Sequence, residues 1–175
     1  MTNNDVLRRI RYTFDFGDDK MIAIFAQVDC EVNREQVSNW LKKDDDDDFQ
    51  AIKDVELAAF LNGLIIDRRG KKPGEQPAAE KRLNNNIIFR KLKIALDYKD
   101  DDILAVMALA DLRMSRHELS AFFRRAGHKH YRECKDQILR NFMKGMQIKY
   151  RKEEPSVSEE SSVTKEETKK PEPID

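Results

Sequence analysis

The chain is poor in the residues that staple or punctuate a fold. Its 175 residues include two cysteines, six glycines, five prolines and one tryptophan. Cys30 and Cys134 cannot build a disulfide framework, so a reduced, cytoplasmic compartment is expected. No apolar run approaches the roughly 20 residues of a membrane span, so no membrane partner is expected. The start, Met1 to Arg11, is polar and carries Arg8, Arg9 and Arg11, which does not read as a signal peptide. Phosphate-loop, nucleophile-elbow and dinucleotide-binding glycine patterns are all missing. No catalytic residue, metal site or cofactor is therefore assigned, and an enzyme is the less supported reading. Strand-like alternation does not stand out either. An excess of one charge sign is also lacking, since 33 basic side chains balance 33 acidic ones.

What the chain does have is a repeat. Residues 3–69 return as 85–151 at a constant offset of 82, without a gap, and 18 of the 67 positions are identical. Ordinary composition would give roughly 4 by chance. Asn3-Asn4 returns as Asn85-Asn86, Asp29 as Asp111, Lys53-Asp54 as Lys135-Asp136, and Gly63 as Gly145. A copy of this size has a marginal core alone. The expected organisation is repeat 1 at 1–70, a linker at 71–83, repeat 2 at 84–151 and a tail at 152–175. The tail is Glu, Ser, Lys and Pro with almost no large apolar residue, a composition expected to be disordered.

Each repeat reads as four helices, giving an all-α protein of eight helices packed as one pseudo-two-fold unit. The first helix runs roughly from Asp5 to Phe16, with Asn3 or Asn4 as N-cap. The second is N-capped by Asp18 or Asp100 and is apolar on most sides, from Met21 to Val28 and from Ile103 to Ala110. Such a helix is buried, and this pair is expected to lie at the centre of the core with the fourth helices. The third begins with a capping box at Ser115–Glu118, with a looser form at Asn33–Gln36. The fourth runs roughly from Asp54 to Arg69 and ends at Gly70. Gly63 and Gly145 lie inside the fourth helices, where glycine costs about 1 kcal/mol against alanine. Their recurrence predicts close approach of another helix.

Several of these segments carry a resemblance. Phe60-Leu61-Asn62-Gly63-Leu64-Ile65, the doubled Asn-Asn starts and the run from His128 to Gln137 are similar to the YehS-like family of uncharacterised bacterial proteins, domain of unknown function 1456. The resemblance covers about residues 2–151. It implies a cytosolic bacterial protein with a duplicated helical domain, and it implies no activity. The family usually has Asn at the place of His130 and Gly at that of Lys135. The acidic tail looks like an addition to the family's core.

Charge separates the copies. Residues 3–69 carry 10 basic and 15 acidic side chains, residues 85–151 carry 15 and 8, and the tail carries 4 and 8. In the first copy, five aspartates, Asp44 to Asp48, follow the third helix. In the second, Ala126-Gly127-His128-Lys129-His130 takes their place. Arg116, Arg124, Arg125, Lys129 and Arg132 are therefore the candidate contacts for an acidic protein or nucleic acid. The spacing of Leu112, Met114, Leu119 and Phe122 matches the hydrophobic skeleton of a helix-turn-helix. Leu109 stands where that motif prefers Ala, however, and Arg113 where it prefers Gly. Any three-helix packing would show the same skeleton. Asn3, Asn4, Asn85 and Asn86 are candidate residues of a groove between the repeats, weighed against plain N-caps. His128, His130 and Cys134 have zinc chemistry but fall short of four ligands. The aspartate runs lack the spacing of a calcium loop. The favoured function is a non-catalytic binding or adaptor module. The alternative is a nucleic-acid-binding regulator using the helix-turn-helix-like second repeat. A homo-oligomer is compatible with either.

Overall fold

The computed structural model describes residues 1–151, and the tail expectation lies outside them. The described residues form eight helices and no strand. They are α1 (Asn3–Phe14), α2 (Asp18–Ala26), α3 (Arg34–Leu41), α4 (Asp54–Arg69), α5 (Asn85–Ala95), α6 (Asp100–Leu109), α7 (Arg116–Ala121) and α8 (Asp136–Arg151).

The N-caps differ from the sequence expectation by one residue. Thr2 caps α1 in a reciprocal box with Asp5, and Asn84 caps α5. Gly17 and Lys99 precede α2 and α6, which puts Asp18 and Asp100 inside the first turns, where the helix dipole favours them. The full capping box of the third helices is in the first copy, between Asn33 and Gln36; Ser115 accepts only from the Glu118 amide. The recurring aspartates have a conformational reason. Asp15, Asp29, Asp97 and Asp111 all have φ between 54° and 59°. They end α1, α2, α5 and α6, and the next amide reaches back to the helix, as Cys30 does to the Phe25 carbonyl at 3.1 Å. Aspartate is one of the few L-residues that visits this left-handed region readily.

The repeats meet along two seams, α4 against α5 and α1 against α8, which are the same pairing in reciprocal form. The expected central pair of second helices is not the main junction. Met21, Ile24 and Phe25 of α2 are buried within the first repeat, and Ile103, Val106 and Met107 of α6 within the second. Each packs on its own fourth helix, and the glycines explain how. A Cβ at Gly63 would stand 2.0 Å from the Ile24 carbonyl oxygen, and one at Gly145 would stand 2.0 Å from that of Val106. Phe25, Phe60, Phe89, Phe122 and Phe142 fill the interior completely shielded from solvent.

Matched polar bonds close the seams. Asp54 accepts from the Asn3 side chain at 2.6 Å and from the Leu83 amide, across the seam, at 2.9 Å. Asp136 accepts from Asn85 and, across the other seam, from the Met1 nitrogen, both at 2.7 Å. Arg69 pairs with Asp97, and Arg151 with Asp15. Every partner is its counterpart displaced by 82.

Candidate functional site

Asn4 and Asn86 face their own repeats rather than a groove between them. The Asn4 side chain donates to the carbonyls of Trp40 and Gln50, both at 2.9 Å, and accepts from the Ile52 amide at 3.2 Å. Asn86 does the same with Phe122, Arg132 and Cys134. Both are buried. Each amide clamps the loop between third and fourth helix and uses its hydrogen-bonding capacity inside the protein. Asn3 and Asn85 donate to the aspartates that hold the seams, Asp54 and Asp136, and to the Ile52 and Cys134 carbonyls of their own repeats. A shallow depression of about 410 Å³ beside Asn85 and Tyr131 lies within the second repeat.

The metal candidates do not converge. His128 and His130 are exposed, and the His128 ring nitrogen accepts from the His130 amide at 3.0 Å. Cys134 is buried at the head of α8, and burial pushes its thiol up to about 12. Among the described residues no group of three or more His, Cys, Asp or Glu is placed to hold a metal ion.

The cationic candidates divide. Arg116 pairs with Asp101 at the start of α6, as Arg34 pairs with Asp19 at 2.5 Å in the first repeat. It is a tie between helices in both copies. The Arg132 guanidinium lies 5.5 Å from the centre of the Phe122 ring. Arg124, Arg125 and Lys129 have no side-chain partner among the described residues.

The first repeat shows why they are left over. There Lys42 pairs with Asp48 at 3.5 Å, and Arg8 with Asp44 at 3.2 Å. The counterparts of Lys42 and Arg8 are Arg124 and Arg90, whereas those of Asp48 and Asp44 are His130 and Ala126. The acids are gone and the cations remain. Arg90 donates to the Phe123 carbonyl at 3.3 Å, beside Arg124. It belongs to the same face, and sequence reasoning missed it because it lies on α5, far from the loop. The signal was its identity with Arg8 across the repeat. The loop backbones also differ: Gly127 has φ +91°, while no residue of 44–48 is left-handed.

The helix-turn-helix comparison gains little from the geometry. Six residues separate α6 from α7, against the three or four of that motif. The left-handed turn residue is Asp111, two places before Arg113. Helix α7 has only six residues.

A family model described as "Protein of unknown function (DUF1456)" matches twice, over residues 3–70 and 85–152. The chain belongs to this family. It is 42% identical over 149 residues to "Uncharacterized protein YehS" of Escherichia coli (strain K12), covering 83% of this chain and 94% of that protein. No solved structure matches. The two family matches coincide with the two structural copies, and residues 153–175 lie outside them. No helix of the described residues is long and apolar enough to cross a membrane.

Proposed function

We propose that this YehS-like chain is a non-catalytic binding module whose second repeat docks an acidic protein surface. The observation that carries the reading is the contrast between equivalent loops. Residues 44–48 supply carboxylates to Arg8 and Lys42, whereas residues 126–130 supply none to Arg90 and Arg124. Arg90, Arg125 and Lys129 are exposed and Arg124 is half-buried; without internal carboxylates they raise the local potential and steer an acidic partner. The planar forks of Arg90, Arg124 and Arg125 suit carboxylates in pairs.

A second reading, nucleic acid, rests on the same unpaired Arg124, Arg125 and Lys129, which phosphates would also satisfy. The six-residue α7 and its long approach turn give no helix suited to reading a major groove, so the protein partner ranks first.

The test is fluorescence anisotropy of a labelled glutamate-rich peptide and of a random-sequence DNA duplex, titrated with the full chain. The first reading expects peptide binding that is lost in Arg124→Glu/Arg125→Glu at an unchanged melting temperature. Preference for the duplex, with steep salt dependence, would promote the second reading. Absence of binding to both at low salt would sink the two together.

A further inference from the structure

The two seams between the repeats are one place met twice. The cleft between α4 and α5, about 510 Å³, has Ile87, Arg90, Lys91 and Ile94 on its α5 wall and Ile65 on α4. The cleft between α1 and α8, about 400 Å³, has Asp5, Arg8, Arg9 and Tyr12 on its α1 wall and Gln147 on α8. Each of these residues is its counterpart displaced by 82.

The first cleft has an occupant. Gln76, Pro77 and Glu80 of the linker line it, and Glu80 pairs with Lys91 at 2.9 Å. The second cleft gathers Arg8, Arg9 and Arg140 beside Asp5. Arg9, the counterpart of Lys91, donates to the Gln147 side-chain oxygen at 3.1 Å, and Arg140 donates to that of Gln137 at 3.2 Å. Arg8 is held by Asp5 and Asp44, and Asp136 lies within electrostatic reach of Arg140. Arg9 and Arg140 thus bond to neutral amides without forming an ion pair among the described residues, whereas Lys91 has both the Asn62 side-chain oxygen, at 2.5 Å, and the Glu80 carboxylate.

The chain also leaves both helices in the same way. Arg69, before the linker, pairs with Asp97 across the seam. Arg151 lies 3.8 Å from Asp15 and donates to the Tyr12 carbonyl at 2.9 Å. Arg151, the last described residue, therefore stands at the mouth of the α1–α8 cleft.

We propose that residues 153–165 dock in cis along the α1–α8 cleft, as residues 71–83 do along α4–α5. Three further observations support this occupant. Pro155 stands at the position of Pro73. The segment carries Glu153, Glu154, Glu159 and Glu160 against a single Lys165, complementary to Arg9 and Arg140. The walls also differ in polarity: Ile65, Ile87 and Ile94 line the cleft that holds Pro77, whereas Gln147, Asp5 and Tyr12 stand at the equivalent places of the second cleft. Length is not limiting, since 24 residues follow Arg151 and the linker uses 13. This surface is distinct from the loop at 126–130, so the inference stands apart from the proposed function.

The test uses the full chain carrying a nitroxide at Ser158→Cys in a Cys30→Ser background, with Cys134 protected by burial. Amide signals are read by NMR at low salt. The expected result is selective signal loss at Arg8, Arg9 and Tyr12, with Arg90, Lys91 and Ile94 spared. Raised salt, or Arg9→Glu/Arg140→Glu, should restore the signals; the salt arm needs no variant to fold. Signal loss at residues 124–130, loss spread evenly over the surface, or no loss would each overturn the proposal. So would loss appearing only in a mixture of spin-labelled and isotope-labelled chains, which would place the segment on a second copy.

Discussion

Replacing Gly145 by alanine should destabilise the protein, although helix propensity predicts the opposite. In an unobstructed helix interior the exchange would stabilise by about 1 kcal/mol. Here the new Cβ would meet the Val106 carbonyl oxygen at 2.0 Å, its carbon at 2.8 Å and a Val106 methyl at 2.9 Å. Ordinary C···O contact begins near ~3.3 Å, so the two backbones must part by roughly 1.3 Å. The obstacle is main chain, which cannot turn aside as a side-chain end would. A radial gap of about 1 Å forfeits up to roughly half of the dispersion energy of each contact along α6 and α8. Overpacking costs of about 1–3 kcal/mol are typical, and a backbone obstacle belongs at or above the upper end, leaving ~2 kcal/mol net after the propensity gain. For a unit of this size that lowers the melting temperature by roughly 4–8 °C. Thermal unfolding followed by far-UV circular dichroism reads it directly. Gly63→Ala should behave alike, because Ile24 presents the same oxygen at the same distance. A melting temperature that is unchanged or raised in either variant would refute the close-approach argument.

Three further outcomes follow from the polar framework. Asn86→Ala orphans the buried Phe122 carbonyl and Cys134 amide and the part-buried Arg132 carbonyl, and should cost about 3 kcal/mol, measured by urea unfolding. The seam aspartates set an acid limit. The Asn3 amide and the Leu83 backbone hold the Asp54 carboxyl below its ordinary 3.8, and the Met1 amine and Asn85 do so for Asp136. A depressed folded value stabilises fully above the unfolded value and is lost as pH falls through the folded one. The melting-temperature gap between wild type and Asp54→Asn/Asp136→Asn should therefore be full at neutral pH and close below about pH 4. The cysteines should differ in reactivity. Cys30 is half-buried and should label first with a thiol reagent, while Cys134 should label only on unfolding.

The constant offset of 82 made most of the fold legible in the sequence. It located eight helices, the Asp54–Arg69 boundaries and the glycine approach. The N-caps shifted because Thr2 and Asn84 accept from the first-turn amides, which frees the Asn-Asn pairs to bond across the fold. No local rule shows that Asn4 reaches Trp40, Gln50 and Ile52, since the partners lie 36 to 48 residues away. The seams were misplaced for a similar reason. An all-apolar helix such as α2 must be buried, but periodicity does not say whether its own repeat or the other one buries it. Of the cationic candidates, Arg124, Arg125 and Lys129 stay free. Arg116 turns out to be a tie whose partner Asp101 recurs as Asp19.

The most direct test of the proposed docking face is to give the second loop the charges of the first. In Ala126→Asp/Lys129→Asp/His130→Asp, Gly127 keeps its left-handed turn, while Arg90 and Arg124 gain the carboxylates that Arg8 and Lys42 already have. Anisotropy of the labelled glutamate-rich peptide should show binding to the wild type and none to this variant, at equal melting temperature. Retained binding by the folded variant would contradict the account.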